Sequence, residues 1–182
     1  MKVSDKIKQR LEIDSKKYFA SDNISKYIQA GETAELIEEL EVAFEQVLQS
    51  LIIDTKNDPN SMGTAHSLAK MYINEIMGGR YLPDPRITSF PNDGQYDQLI
   101  VVRADIKSMC SHHHQVIGGL VHIGYIAGEG GQVIGLSKLN RIVELFGRRG
   151  AIQEQLTTAI HNAVNKVCED NKGVIVTIVA TH

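Results

Sequence analysis

The sequence predicts an α+β fold: N-terminal helices, then an antiparallel sheet with helices packed on one face. Three observations predict it. Up to about residue 77, apolar residues recur at steps of three and four, as helices require. After Pro83 and Pro85 the pattern changes to alternating and β-branched runs, as strands require. Two more helical segments then precede a final run, Val174–Ala180, that is almost continuously apolar or β-branched.

The first helical signal is Val3, Ile7 and Leu11, in an arm spanning 1–32. A second short helix is expected around Ile24, Tyr27 and Ile28. Thr33 is a candidate cap for a long amphipathic helix carrying Leu36, Leu40, Phe44, Val47, Leu48 and Leu51, with Glu35, Glu38, Glu41 and Glu45 on its other face. Asp54–Gly63 is rich in turn residues and reads as a loop. A further helix is expected over Thr64–Ile76, ended by Gly78-Gly79. Arg86–Phe90 reads as a short strand and Gln98–Lys107 as a longer one. Gly118–Ala127 alternates, with Leu120, His122, Gly124 and Ile126 on one face and Val121, Ile123 and Tyr125 on the other. Gly128-Glu129-Gly130-Gly131 reads as a hairpin turn returning through Gln132–Leu136. Helices over Lys138–Phe146 and Ile152–Cys168 complete the chain before the last strand. The expected organisation is an arm at 1–32 and a single domain at 33–182. A sheet of this kind has two edges, and pairing with neighbouring subunits would relieve them, so an oligomer is expected.

Composition narrows the function. The 182 residues are 42% hydrophobic and 23% charged, with a net charge of −3. A bulk nucleic-acid binder would be basic, so nucleic acid is not an expected partner. A small anion in a local basic pocket remains compatible. Two cysteines make no disulfide framework and suit a reducing compartment. No apolar run approaches the roughly 18 residues of a membrane span, and the N-terminus lacks the apolar core of a signal peptide. The expected location is the cytoplasm, with no membrane partner.

Chemistry concentrates in Ser108–His114, which reads Ser-Met-Cys-Ser-His-His-His. Cys110 and His113 have C-x-x-H spacing, from which a thiolate and an imidazole can reach one ion, and zinc accepts that mixed donor set. A solvated histidine-rich loop beside a buried cysteine is the plainer alternative. A second stretch, Val133–Arg141, places Gly135, Ser137, Lys138 and Arg141 where a strand turns into a helix. Exposed N–H groups with a hydroxyl and two cations suit an anion, and Lys138 and Arg141 share a helix face. Arg148-Arg149 reads as the solvated end of that helix. Gln153-Glu154 opens the next helix. There Glu154 is either a favourable first-turn acid or a carboxylate able to grip a purine's N–H edge.

Taken together, "SMCSHHH", "VIGLSKLNRIVELFGRR", "IQEQLT", the closing "ATH" and the "AKMYINEI" helix resemble the GTP cyclohydrolase I family. The resemblance runs collinearly over roughly residues 35–182 and leaves the arm outside it. It implies the tunnelling fold, in which sheets from five subunits close into a ring. Two rings form a homodecamer with active sites between subunits. It implies conversion of GTP to 7,8-dihydroneopterin triphosphate with release of C8 as formate. It also implies Zn2+ as cofactor, with Cys110 and His113 as metal ligands. His112 would assist proton transfer, His182 would serve as the acid at N7, and Gln153 would stand beside Glu154 in the pocket. Glu154 would anchor guanine, while Ser137, Lys138 and Arg141 would contact triphosphate and ribose. The product feeds folate, biopterin and deazaguanine routes alike, so the pathway is not legible.

Departures from the family pattern also stand out. The family continues beyond "TH" with a third zinc ligand, a cysteine, and an arginine for the triphosphate, whereas this sequence stops at His182. Ser67 stands where a phosphate-binding arginine is usual, and Ser111 where a glutamate is frequent. Sequence lost from an active enzyme is the favoured expectation. A relative that binds nucleotide without turnover, or another pterin or deazapurine enzyme on this fold, is the alternative.

Overall fold

A computed structural model describes residues 1–181. They form two compact units, Met1–Pro83 and the chain from Asp84 onward.

In the first unit, α1 (Val3–Ile13) buries Val3, Ile7 and Leu11, the residues its spacing singled out. They cluster with Ile24, against Tyr27, Ile28, Leu36 and Tyr81. A 3-10 turn covers Ser25–Tyr27. Helix α2 (Glu32–Ser50) starts one residue before the expected Thr33 cap, after Gly31. Gly31 has φ +88°, a backbone angle that favours glycine. No side chain caps the helix, and the adjoining Glu32 carboxylate instead ties the helix start to the segment before it and to α1. It accepts the Gln29 N–H at 2.8 Å and the Arg10 guanidinium, whose Nη1 is also 2.8 Å away. Ser4 adds its N–H and hydroxyl to Glu39, at 3.1 and 2.6 Å. The arm is thereby built into this unit as a helix stapled along α2.

The loop at 54–63 folds around two aspartates. Asp54 accepts the N–H groups of Lys56 and Asn57, and Asp58 accepts from Ser61 and Asn60. These bonds hold both carboxyls below the usual carboxylate range, led by the Asn57 and Ser61 side chains respectively. Helix α3 (Thr64–Lys70) runs on as a π-helical turn over Met71–Ile76, closed by the Met77 N–H on the Tyr72 carbonyl. Gly78-Gly79 opens the short α4 (Gly78–Tyr81) instead of ending the chain's helical run.

The second unit carries β1 (Ser89–Pro91), β2 (Ile100–Cys110), β3 (Val116–Ile126), β4 (Gln132–Ile134), α5 (Leu136–Gly147), β5 (Gly150–Ala151), α6 (Gln153–Val167) and β6 (Gly173–Thr181). Its main sheet has the order β5-β2-β3-β6. It is antiparallel except where β5 runs parallel to the end of β2. Val121, Ile123 and Tyr125 on β3 are fully buried among Leu139, Ile142 and Val143 of α5 and Leu156, Ile160 and Val164 of α6. Full burial of each such side chain contributes about 1.5–3 kcal/mol. Gly147 lets the end of α5 close on β2, because a Cβ there would stand 2.8 Å from the Lys107 carbonyl oxygen.

Both helices therefore cover one face, as expected. The other face holds Val101, Ile175 and Val179, each more than half exposed. Among the described residues no strand pairs with the outer edge of β6.

The expected hairpin at Gly128–Gly131 does not form. β4 pairs with β1 in a separate two-stranded sheet. Both sides of β3 are already taken by β2 and β6, so the returning chain has no edge of β3 to pair with. The buried Tyr125 hydroxyl secures β4 instead, donating to the Ile134 carbonyl at 3.0 Å and accepting its N–H at 3.1 Å. Among the described residues no helix is long and apolar enough to cross a membrane.

Two outcomes are expected. Tyr125→Phe leaves the buried N–H and C=O of Ile134 without the hydroxyl and should cost about 1–3 kcal/mol in urea unfolding. The second concerns Glu32, whose carboxyl is held low chiefly by its hydrogen bond with Arg10. A lowered carboxyl stabilises the fold above its unfolded pKa, and that contribution is lost as pH falls through the folded value. Glu32→Gln should be less stable than the parent near neutral pH, with the gap closing as pH drops well below the 4.5 of an unperturbed glutamate.

Candidate functional site

The Cys/His motif sits where β2 turns back into β3. The register pairs Met109 with Val116, and the turn is closed by the Cys110 N–H on the Gln115 carbonyl and the His114 N–H on the Cys110 carbonyl, both 2.9 Å. His114 takes φ +52°, which such a tight return demands of some residue. Cys110 is buried at the strand end, while His112 and His113 are exposed on the turn. Cys110 Sγ lies 4.0 Å from His113 Nδ1. Two donors of one tetrahedral zinc stand roughly 3.5 Å apart at ordinary Zn–S and Zn–N lengths. The pair is thus within a small side-chain adjustment of sharing an ion. The His112 and His113 rings lie 4.4 Å apart, tilted by 52°. Among the described residues no third histidine, cysteine, aspartate or glutamate joins the pair. His182 lies outside the described residues.

β5 brings the other edge of the site to this motif. Gly150 pairs with Met109 and Ala151 with Cys110. The Ser111 N–H donates to the Ala151 carbonyl at 3.3 Å. Two residues on, α6 begins with Gln153 and Glu154. Gln153 Nε2 donates to the Ile178 carbonyl at 3.2 Å, tying the first turn of α6 to β6. Glu154 is exposed. Cys110, His113, His112, Gln153 and Glu154 therefore belong to one end of the sheet.

Ser137, Lys138 and Arg141 do not. They open α5, with Ser137 and Arg141 exposed and Lys138 half-buried. Gly147, at the far end of α5, abuts Lys107. Lys138 precedes Gly147 by about 14 Å of helix axis, and Lys107 precedes Cys110 by about 10 Å of strand. Within one chain the cationic helix start and the thiol–imidazole pair lie at opposite ends of the sheet.

Of the remaining histidines, His66 bonds Glu41 at 2.7 Å, His122 is exposed on β3, and His161 contacts Asn162 and Asn165. Cys168 is fully buried, and burial pushes its thiol up to about 11. It is core.

The reading of Arg148-Arg149 as a solvated helix end is half corrected. Arg148 makes a loose pair with Glu144 at 3.5 Å, but Arg149 is buried and holds Asp84 at 2.7 Å. The sequence signal for this partner was weak: one aspartate confined between Pro83 and Pro85.

A sheet with both helices on one face, bearing a Cys–His pair at the strand turn and an acidic helix start beside it, is consistent with the tunnelling fold. The sequence model for GTP cyclohydrolase I matches residues 40–182. The chain is 40% identical to GTP cyclohydrolase 1 of Aeromonas hydrophila over 147 residues, which is 80% of this chain and 66% of that protein. It is 37% identical to that of Photobacterium profundum with the same coverage, and 38% identical to that of Flavobacterium johnsoniae over 72% of this chain and 59% of that protein. The chain thus spans a little under two thirds of the length of these relatives. It belongs to the GTP cyclohydrolase I family.

If Cys110 and His113 form the metal pair, Cys110→Ser and His113→Ala should each weaken Co(II) binding by at least about tenfold. Loss of the thiolate-to-metal absorption band in Cys110→Ser, with Cys168→Ser unchanged, is the expected spectroscopic result.

Proposed function

We propose that this chain acts as a GTP cyclohydrolase I, hydrolysing and rearranging GTP to 7,8-dihydroneopterin triphosphate and formate. The observation that carries this is the Cys110–His113 pair held by β5 beside Gln153-Glu154, in a chain of this family.

Each residue then has a task. Cys110 Sγ and His113 Nδ1 hold zinc. When bound, zinc supplies the Lewis acidity that makes water a usable nucleophile near neutral pH. Glu154 accepts hydrogen bonds from the N–H edge of guanine, and Gln153 lines the pocket beside it. This fixes the purine so that C8 faces the metal pair. His112, stacked against His113, relays protons during hydrolysis of C8, a task for which imidazole is suited. His182 is the proposed acid at N7, where protonation makes C8 more electrophilic. Ser137, Lys138 and Arg141 at the start of α5 receive the triphosphate and ribose. The location is cytoplasmic, with no nucleic-acid or membrane partner.

The separation of the two groups along α5 supports an inter-subunit site. More than about 20 Å of helix and strand lies between Lys138 and Cys110, well beyond a triphosphate tail. A site completed by the α5 start of a neighbouring copy would remove the need for one chain to span that distance. Repetition of such a head-to-tail contact closes a ring. We propose the homodecamer of two pentameric rings that the family resemblance implies.

Formate release from GTP in the presence of zinc should be abolished by chelator and by Cys110→Ala. GTP binding without formate would instead favour a non-catalytic nucleotide-binding relative. Cys110→Ala and Lys138→Ala, each inactive alone, should recover up to about a quarter of parental activity when dissociated and reassembled together. No recovery would place both groups in one subunit's site.

A further inference from the structure

Arg149 is the buried cation beside the candidate site, and no catalytic or binding task above uses it. The residue is 7% exposed. Its guanidinium donates to Asp84 Oδ1 at 2.7 Å and lies 5.0 Å from the centre of the Phe146 ring. Its carbonyl accepts the hydroxyl of buried Ser108 at 3.3 Å. A buried cation is tolerated only when paired and hydrogen-bonded, and here a cation–π contact adds to the pairing.

The position of Arg149 gives this clamp a consequence. It immediately precedes β5, a strand of two residues held in a parallel ladder, the less stable of the two pairings. Two rungs and the Ser111 bond are a slender hold for the segment that joins the Cys110 edge to the Gln153-Glu154 edge. Asp84 is presented rigidly: Pro83 and Pro85 flank it, and a residue before proline is confined to extended backbone. Ordering this carboxylate therefore costs little entropy.

We propose that Arg149, clamped by Asp84, is a positioning residue that sets the spacing between the Cys110–His113 edge and the Gln153–Glu154 edge. The role rests on the cyclohydrolase reading for its catalytic meaning, but its structural content is independent of it. Releasing the clamp frees β5 from the end of β2. That uncovers the Cys110 thiol and lets the purine-binding edge drift from the metal-binding edge. A misplacement of about 1 Å at reacting atoms can cost roughly 100-fold in rate.

Asp84→Asn is the variant of choice, because Asp84 is half-exposed whereas truncating buried Arg149 endangers folding. The full chain would be alkylated under chelator and both thiols followed by mass spectrometry, with buried Cys168 as internal control. Expected are a Cys110 rate raised at least about fivefold, an unreactive Cys168, an unfolding midpoint lowered by the loss of the buried pair's partner, and restoration by Asp84→Glu. In the formate assay kcat should fall about tenfold with KM for GTP within about twofold. Unchanged Cys110 reactivity and kcat would overturn the proposal. So would both thiols opening together, since Arg149 would then be a general structural residue. Raised Cys110 reactivity with no formate from variant or parent would uphold the clamp and remove the cyclohydrolase reading instead.

Discussion

The register between β2 and β3 is the constraint on which the second unit depends. It pairs Val102 with Ile123 and Ala104 with Val121, so the apolar alternates of both strands face α5 and α6. Side chains alternate with a period of two, so a slip of one residue would reverse a strand's faces. On β2 that would turn Arg103, Asp105 and Lys107 toward the helices and bury unpaired charge, at several kcal/mol per ion. The same register ends in the turn at 110–115 and so delivers Cys110 to the end of the sheet. Core packing and placement of the thiol–imidazole pair are one event.

The remaining chemistry is attached to this frame by much weaker connections. β5 contributes two rungs, yet it carries Gln153 and Glu154 to the Cys110 turn. Gln153 is in turn anchored to β6 through the Ile178 carbonyl. Such a site combines a rigid half, built on the longest strands, with a half held by a short strand and a buried ion pair. The cationic start of α5 stands apart from both. It faces the opposite end of the sheet because α5 runs in the direction of β2 and must cross the length of the core.

The periodic segments were legible because burial of one face requires periodicity. Val3, Ile7 and Leu11 named α1, and alternation set Val121, Ile123 and Tyr125 together on one face of β3, the face that the core buries. Cys110 and His113 were legible because their spacing is local and metal chemistry restricts the residue types. The cap of α2 was misread by two residues: a capping threonine is a common signal, while a glutamate stapled to Arg10 across 22 positions is not a local one. The hairpin at Gly128–Gly131 was misread because its glycines do mark a turn. Whether the returning strand pairs with its predecessor depends on β6, more than forty residues later.

Sequence by itself determined most helical and strand segments, the grouping of their residues onto faces, and a set of candidate residues for metal, purine and phosphate, because these follow from period and local chemistry. Only tertiary structure decided strand order, the parallel placement of β5, the burial of Arg149 against Asp84, and the separation of Lys138 from Cys110. Those outcomes depend on which edges remain unpaired once β3 is flanked on both sides, and on how far a helix of fixed rise must travel across the core. Neither quantity is written in any short stretch of the chain.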